Sequence, residues 1–417
     1  MPTPNIGVQQ GIGNTGIENP NLFIRDVDPR MYYLEQKKYP LVSRLFTMGT
    51  RLERKDDNSY EIKGTNDFKK EVATNPRFEW DENEMLKLAF NPTAAVTTGA
   101  TSITISTSDD DFFVAGDEIL LVNAAGSREV ARVTAVTAGS LTVTRNIGST
   151  GAIALATSDF FYRMGVVREE DSTSTSPRQA RSETMFNYVQ FMSEPYGVTE
   201  IGLATANYHG NSYDRLKMEA FARMKQRMEV MFWFGVRSAD QSTTNPIYHN
   251  GGIMHFLENV YTDVPVFDAG GILSKATWDG FIQEALKNGG DNKLIFCSDP
   301  VLEAVNGFAT NNIRVIDQKQ KEYGMKTQTY ISPFGEVELI REPLFGEVAN
   351  MANAAVVLDM DKVKWRYLSG NGKNLDLKSH DDIQENDRSG KKGEWKFVGG
   401  IQVATGKSHA ILRNVQR

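Results

Sequence analysis

The sequence predicts a mixed α+β protein that carries an inserted all-β segment, and three observations indicate this. Residues 213–235 form a long stretch of helix-favouring residues without proline. Residues 93–157 are dominated by Thr, Ser, Val, Ala and Gly, with almost no helical period. The second half of the chain alternates helix and strand patterns and ends in strands. Because the composition changes sharply around residues 93–157, we predict an insertion there.

Length and composition restrict the possible classes of protein. A chain of 417 residues exceeds the usual size of one domain, so two or more packing units are expected. The net charge of -7 and a pI near 5.5 disfavour bulk binding to nucleic acid or anionic membranes. The single cysteine, Cys297, excludes an intrachain disulfide and a cysteine-based zinc site, and it favours a reducing compartment. Neither a membrane span nor a signal peptide is evident, so a cytosolic product is expected.

The first part of the chain is predicted to be an arm with one short helix. Residues 1–30 are rich in Gly, Pro and Asn and show no apolar period, so they need a partner surface. Leu41, Leu45 and Met48, spaced by four and three, favour a helix after Pro40. Two charged stretches follow at 60–64 and 77–90. Both are predicted to be strands that are solvated on both sides.

Residues 93–157 contain short β-branched runs separated by glycine. The runs 119–122, 130–133 and 141–144 lie between predicted turns at Gly116, Gly126 and Gly139. This pattern predicts a small all-β module.

Residues 213–235 predict one amphipathic helix about 35 Å long. Its apolar stripe comprises Phe221, Met224, Met228 and Met231, widened by Leu216 and Phe232. Its opposite face offers the ion pairs Arg215–Glu219, Glu219–Arg223 and Lys225–Glu229. Each such pair contributes at most a few tenths of a kcal/mol. Core packing is therefore the expected role of the methionines, with one face solvated.

The second half of the chain predicts helix, strand and helix in succession. A helix is expected within 274–290, a buried strand at 292–298 and a second helix at 299–311 that is capped by Asp299. A hairpin turning at Ser332–Gly335 and a core strand at 354–368 follow. These elements indicate an α+β unit.

The sequence contains no motif typical of an active site. Gly11, Gly13 and Gly16 match G-x-G-x-x-G, but no strand precedes them and no helix follows, so a flexible arm is favoured over a nucleotide site. The five histidines, expected at the surface or in turns, are His209, His249, His255, His380 and His409. They lack metal-ligand spacing.

The remaining candidate groups favour structural roles. Asp109–Asp111, and Asp359 with Asp361, are expected to be solvated turns rather than cation sites. Cys297 is expected to be a buried, inert thiol. The basic residues around Trp395 and Phe397, namely Lys391, Lys392 and Lys396, favour the outward side of a strand over a nucleic-acid contact. We therefore predict no catalytic, cofactor-binding or metal-binding residues, and no enzyme.

This order of parts resembles the major capsid proteins of tailed bacteriophages, which share the Hong Kong 97-type coat fold. The likeness covers essentially the whole chain: an arm, a charged excursion, one long helix and an α+β domain ending in strands. Residues 112–150 also resemble the β insertion of one branch of phage coat proteins, in which a Gly-Asp pair opens a strand and a Thr-Arg pair closes the next.

The resemblance implies a division of the chain into the domains of that fold. The implied parts are an N-terminal arm at 1–50, an extended E-loop at 51–92 and 161–190, an inserted β domain at 93–160, a peripheral domain at 191–245 and about 362–398 with its spine helix at 211–237, and an axial domain at 246–361 and 399–417.

The resemblance also implies a function. The chain would self-assemble into hexamers and pentamers of an icosahedral head enclosing double-stranded DNA, without sequence-specific DNA binding and without a membrane. Implied partners are portal and scaffolding proteins and a minor or decoration capsid protein. The virion, assembled in the host bacterial cytoplasm, would be its location. The short Gly-rich start does not resemble a scaffolding segment, so a separate scaffold or none is expected; Lys63, Lys69 and Lys70 are available for an E-loop cross-link.

Two alternatives remain open at this point. The β segment also suits a phage tail or adhesin-type protein that binds glycans, which would form small oligomers. An encapsulin-type bacterial compartment shares the coat fold, and would hold a cargo enzyme rather than DNA.

Overall fold

A computed structural model provides the coordinates of the chain. It describes residues 39–47, 51–54, 60–63, 70–83, 87–168, 170–171, 182–205, 212–242, 244–290, 293–312 and 327–416. The chain divides into two compact units, unit 1 (Met1–Phe78 and Phe186–Arg417) and unit 2 (Glu79–Met185). Each unit has its own hydrophobic core, so each is described by itself.

The α-helices of the described residues all lie in unit 1, whereas unit 2 has only short 3-10 helices at Thr107–Phe112 and Ile147–Ser149 among them. The α-helices are α1 (Pro40–Thr47), α2 (Glu200–Ala204), α3 (Ser212–Phe234), α4 (Ile253–His255), α5 (Lys275–Lys287) and α6 (Asp299–Asn312). None has the length and hydropathy of a membrane span.

Strands are found in both units. Up to the long helix they are β1 (Arg51–Arg54), β2 (Tyr60–Lys63), β3 (Lys70–Ala73), β4 (Arg77–Glu82), β5 (Ala89–Phe90), β6 (Ser102–Thr104), β7 (Asp117–Val122), β8 (Arg128–Thr137), β9 (Ser140–Thr144), β10 (Phe160–Val166), β11 (Glu183–Tyr188) and β12 (Gln190–Thr199). After it they are β13 (Ser238–Asp240), β14 (Ile247–His249), β15 (Val266–Ile272), β16 (Lys293–Cys297), β17 (Thr327–Ser332), β18 (Gly335–Arg341), β19 (Ala355–Asp359), β20 (Val363–Gly370), β21 (Lys373–Asn374), β22 (Lys378–His380), β23 (Gly390–Val403) and β24 (Ala410–Gln416).

Unit 2 is built on one six-stranded sheet with the order β5-β10-β7-β8-β9-β6. Its neighbouring strands are antiparallel, and side chains alternate between a buried and an outer face. Phe90 and Phe113 pack in the core with ring centroids 4.6 Å apart, and Phe161 joins them. Gly126 and Gly139 have positive φ at the predicted turns. Because β5 and β10 belong to this sheet, it extends beyond the predicted run at 93–157.

The first sheet of unit 1 has the order β12-β23-β20-β21. β23 pairs antiparallel with β12 over ten residue pairs, from Gln190↔Gly399 to Thr199↔Gly390. β22 also pairs with β23, and β3 pairs in parallel with β20. These pairings bring residues about 200 positions apart in sequence into one sheet.

The helix α3 packs on this sheet through the predicted apolar stripe. Met224, Met228 and Phe232 are fully buried, so the prediction of a core-forming methionine stripe is confirmed. The Phe232 ring meets the Trp365 ring edge-on with centroids 5.2 Å apart. The next residue, Trp233, meets Phe296 at 5.2 Å and Phe345 at 4.8 Å. The end of α3 therefore contacts two groups of aromatic side chains through adjacent residues.

The second sheet of unit 1 has the order β15-β24-β19-β16-β18-β17. β16 is buried at every position, as predicted for 292–298. Helix α5, capped by the Ser274 hydroxyl, places Trp278 and Phe281 in the core of this sheet. The hairpin β17–β18 turns at Ser332↔Gly335, where it was predicted. The α+β character of the second half is confirmed.

Two local predictions are corrected. β4 is not solvated on both sides, because Phe78 and Trp80 are buried on one face. Asp299 was predicted to cap α6 from outside, but it is the first residue of that helix. Its carboxylate accepts two hydrogen bonds from Arg341, at 2.5 and 2.6 Å. The smaller two-stranded sheets are β1–β2, β13–β14 and β4–β11.

Candidate assembly surfaces

The charged face of α3 makes ion pairs with β12 as well as one within the helix. Arg223 Nε donates to Glu194 Oε1 at 2.8 Å, and Arg227 binds the other oxygen of the same carboxylate. Arg215 and Glu219 approach to 3.7 Å, as predicted. Arg223 is therefore directed to the sheet, away from the predicted Glu219 pair, and Glu229, predicted to pair with Lys225 in solvent, is fully buried. These ion pairs link α3 to β12 but add little to stability, because both arginine side chains are about half exposed.

A second group of hydrogen bonds between α3 and the sheet is centred on Asp381. Its Oδ1 accepts the hydroxyl groups of Tyr196 at 2.8 Å and Tyr213 at 2.7 Å, and its Oδ2 accepts Lys217 Nζ at 2.7 Å. The Lys217 ammonium, followed by the two hydroxyl donors, holds the pKa of Asp381 far below its usual range. Burial and the Asp381 carboxylate raise the pKa of Tyr213 to about 12. With these shifts the groups keep one protonation state near neutral pH, which suits a structural contact rather than acid–base chemistry.

Asp359 and His409 are buried, which corrects the predictions of a solvated turn and a surface histidine. Both have no exposed surface. The Asp359 carboxylate accepts the N–H of Gly290 at 2.8 Å and of Asp361 at 3.0 Å, and the Asp359 N–H donates to His409 Nδ1 at 3.1 Å. Burial lowers the pKa of His409 to about 4, so its ring is neutral. The group joins loops of the second sheet and does not form a cation site.

Asp109 and Asp110 are also structural, in contrast to the predicted solvated turn. Asp109 is buried and receives Lys87 Nζ at 2.6 Å. Asp110 accepts the N–H of Gly139 at 2.9 Å and so closes the β8–β9 turn. Both carboxylates are used to hold the β module together.

The other residues that the sequence analysis considered lie in separate elements or outside the described residues. His249 lies in β14, His255 in α4 and His380 in β22, while His209, Lys69 and the glycines 11, 13 and 16 lie outside the described residues, as does the side chain of Lys63. Lys70 pairs with Asp376 at 2.9 Å. Within the part of the chain that the structure describes, no cluster of three or more His, Cys, Asp or Glu could hold a metal.

The lysines of β23 are half-buried in a sheet. Lys391 Nζ lies 3.3 Å from Asp382, and Lys396 pairs with Glu394. These lysines lie where β23 pairs with β12, and Lys396 also lies opposite β22. Lys391 and Lys396 are each paired with a carboxylate, which disfavours a nucleic-acid contact there.

Cys297 is confirmed as a buried thiol. It lies on β16 with no exposed surface, and burial raises the pKa of its thiol well above the usual range. We expect a maleimide reagent to leave Cys297 unmodified in the folded chain at pH 7.5 and to modify it fully in 6 M guanidinium. Intact-mass spectrometry measures both. Fast modification of the folded chain would show that the second sheet opens readily.

Exposed apolar side chains form the surfaces that the sequence did not reveal. On the outer face of the unit 2 sheet, Phe160 (46% exposed) and Tyr162 (38%) lie opposite Val122 and Leu120 of the adjacent strand. We call these four residues the outer apolar patch. In unit 1, Ile201 of α2 is 81% exposed. Contiguous exposed apolar surface commonly marks a site of protein association.

These features define the class of the protein. A rigid helix clasped to a sheet, a second sheet with its own helices, a β insertion and exposed apolar surfaces are the properties of a structural subunit that completes itself by association. The chain belongs to the SU10 major capsid protein family, whose model matches residues 13–416.

The chain is also similar to several individual proteins. The chain is 24% identical over 290 residues to the major capsid protein of Pseudomonas phage PaMx41, covering 67% of each chain. Among solved structures it is similar to the capsid of a native GTA particle (7% identity, 97% of this chain and 100% of that chain, TM-score 0.48). It is also similar to the capsid of cyanophage A-1(L) (12% identity, 60% and 85%, TM-score 0.43) and to the SrpI encapsulin of Synechococcus elongatus (12% identity, 57% and 78%, TM-score 0.38).

Family membership and the α+β architecture confirm two predictions. The mixed α+β class is observed, and the protein is a phage coat protein that forms the capsid shell of the virion. The tail or adhesin and encapsulin alternatives are not favoured.

Proposed function

We propose that this coat protein assembles into hexamers and pentamers that close an icosahedral head around the double-stranded DNA of a tailed phage. The observation that carries the proposal is that both units of this chain expose apolar side chains. The chain also belongs to a family of major capsid proteins. Many modest contacts between identical copies add up to a stable closed shell. The subunit then needs no active site.

The domain roles belong to the same proposal. Residues 1–50 would be the arm, 51–92 and 161–190 the E-loop, and 93–160 the inserted domain. Helix α3 with the sheet β12-β23-β20 would form the peripheral domain, and the sheet from β15 to β17 the axial domain. Since β23 runs without a break from Gly390 to Val403, we place the return to the axial domain after Val403 rather than at 398.

Partners and location are proposed from the same role. A net charge of -7 and locally paired lysines support enclosure of DNA without sequence-specific binding. A portal protein and a separate scaffolding protein would direct assembly in the host cytoplasm, and a decoration protein could bind the finished shell. Catalysis by this chain is not part of the proposal.

Electron microscopy of the expressed full-length chain tests the proposal. Negative-stain images and sedimentation velocity are expected to show hexamer-sized rings or closed particles. Co-expression with neighbouring phage products should increase the fraction of closed particles. A chain that stays monomeric under both conditions, or forms small glycan-binding oligomers, would contradict it.

The outer apolar patch gives a sharper test of association. Tyr162→Asp places a charge at the centre of the patch, and we expect at least a tenfold loss of assembled particles because a charge is costly to bury in an interface. The free energy of unfolding should change by only about 1 kcal/mol, since Tyr162 is exposed. Thr142→Asp, on the polar part of the same outer face, is the matched control. Equal particle yields from Tyr162→Asp and Thr142→Asp would show that the outer apolar patch is not part of the assembly surface.

A further inference from the structure

Helix α1 docks on α3 through a buried carboxylate. Glu229 has no exposed surface, and its two oxygens accept the N–H groups of Leu41 at 2.8 Å and Val42 at 2.7 Å. These are donors in the first turn of α1, where unpaired N–H groups and the helix dipole favour an anion. Leu41, Val42 and Leu45 are at most 1% exposed. The contact joins residues 188 positions apart in the chain.

A second buried carboxyl group, that of Glu342, lies within hydrogen-bonding and electrostatic reach of Glu229. It is fully buried, and its Oε1 accepts the N–H of Leu344 at 3.2 Å. No donor from the described residues reaches its other oxygen, Oε2. A buried carboxylate oxygen without a donor is costly, whereas a protonated carboxyl can itself donate to a neighbouring carboxylate. Burial, followed by the Glu229 charge, raises the pKa of Glu342 to about 10, so Glu342 carries a proton at neutral pH.

The other charged groups near the pair do not neutralise both carboxyls. On α1, Arg44 Nη2 binds Glu338 of β18 at 2.7 Å. On α3, burial lowers the pKa of Lys225, which lies over the Phe221 ring. The Trp233 indole N–H favours the charged form of both carboxyls, but its effect is smaller than that of burial.

We propose that α1 is held on α3 by a Glu229–Glu342 pair that needs at least one bound proton, and that loss of this last proton releases α1. Glu342 donates to Glu229, and Glu229 in turn accepts the α1 N–H groups. Without the proton, two adjacent buried carboxylates repel each other, and undocking of α1 lets water reach them. The device goes beyond the proposed shell function and does not depend on it.

The direction of the pH effect follows from linkage. Burial raises the pKa of Glu229 to about 7, and that of Glu342 is near 10, both above the ordinary value of 4.5. The docked state therefore binds protons more tightly than a state with solvated carboxyls. Docking is fully favoured below about pH 4.5, weakens as the pH rises through 7, and is lost toward pH 10.

Hydrogen exchange of the unassembled full-length chain tests this device. Brief labelling pulses from pH 7 to 10 are followed by mass spectrometry of peptides that cover α1. In Glu342→Gln the amide keeps a donor that cannot titrate, so α1 should stay docked at every pH. We expect the wild-type exchange rate, divided by that of Glu342→Gln, to rise at least tenfold between pH 7 and 10. The intrinsic pH dependence of exchange cancels in this ratio.

Two further comparisons keep the test decisive. Glu338→Gln, which changes the partner of Arg44 but not the carboxyl pair, should follow the wild type. Exchange of α5 in the same wild-type sample is an internal reference that needs no variant, and the α1-to-α5 ratio should rise over the same pH range. A ratio that stays constant from pH 7 to 10 would overturn the proposal.

Discussion

Replacing Arg145 by methionine is expected to lower the free energy of unfolding of unit 2 by about 3–5 kcal/mol. Arg145 binds both oxygens of the fully buried Glu129, and the same carboxylate accepts the N–H groups of Asn146 at 3.0 Å and Ile153 at 2.9 Å. The variant leaves an uncompensated charge inside the β module. Calorimetry of the full-length chain should show the unit 2 transition shifted down by roughly 10 °C or more.

Two variants separate the buried pair from a general loss of positive charge. Arg128→Met makes the same chemical change at an exposed position of β8 and should shift the transition very little. Glu129→Gln combined with Arg145→Met removes both charges and should recover part of the loss. If Arg128→Met and Arg145→Met were equally destabilising, the pair would not be the cause.

The same pair has a defined pH dependence. Burial raises the pKa of Glu129, but the hydrogen bonds from Arg145, Ile153 and Asn146 outweigh burial and leave it below the ordinary value of 4.5. A lowered pKa contributes stability that is present above pH 4.5 and is lost as the pH falls through the folded-state value. The difference in the free energy of unfolding of unit 2 between wild type and Arg145→Met should therefore become smaller as the pH falls below 4.5.

The second large effect is expected for Gly252→Ala. A Cβ at this position would lie 2.7 Å from Gly235 N, 2.8 Å from Trp233 O and 2.9 Å from Met231 O. These are backbone atoms at the end of α3 and just beyond it, so they cannot move without displacing the helix. Since Gly252 has an ordinary φ of -81°, the cost comes from contact and not from backbone strain. We expect a loss of about 3 kcal/mol or more in unit 1, at or above the upper end of the range for overpacking.

Gly280→Ala is the matched control for this prediction. Gly280 lies inside α5, and apart from its chain neighbours and the adjacent helical backbone no atom of the described residues comes within 4 Å of its added Cβ. The variant should gain about 0.5–1 kcal/mol from helix propensity. Thermal denaturation followed by far-ultraviolet circular dichroism compares the two. If Gly252→Ala and Gly280→Ala unfolded at the same temperature, the end of α3 would be free to shift and the prediction would be wrong.

Patterns among residues that are close in sequence were enough to predict much of the fold. The methionine spacing of α3, the helical pattern within 274–290, the apolar run of β16 and the turn at Ser332–Gly335 are short-range signals, and each corresponds to an observed element. The β segment was equally visible from its composition. Periodicity and turn chemistry depend on neighbours in sequence, so a single chain is enough to read them.

Contacts between distant segments explain what the sequence could not show. Glu229 looked like a solvated ion-pair partner, but its oxygens meet Leu41 and Val42, nearly 190 positions away. Asp359 was predicted to lie in a surface turn, but it is hydrogen-bonded to Gly290 and His409, which are distant in sequence. A charged residue gives the same sequence pattern whether it is solvated or buried with partners. The assembly surfaces were hidden for a related reason, because the outer apolar patch comes from two strands whose alternation alone does not show which face is covered.

The adjacent residues Phe232 and Trp233 give the subunit a mechanical property. One side chain packs with Trp365 of the first sheet, and the other with Phe296 of the second sheet and with Phe345. Adjacent residues of one helical turn therefore contact both sheets of unit 1. A shift or rotation of this turn would disturb the aromatic packing of both sheets at once, so neither sheet can be repacked at this point without the other.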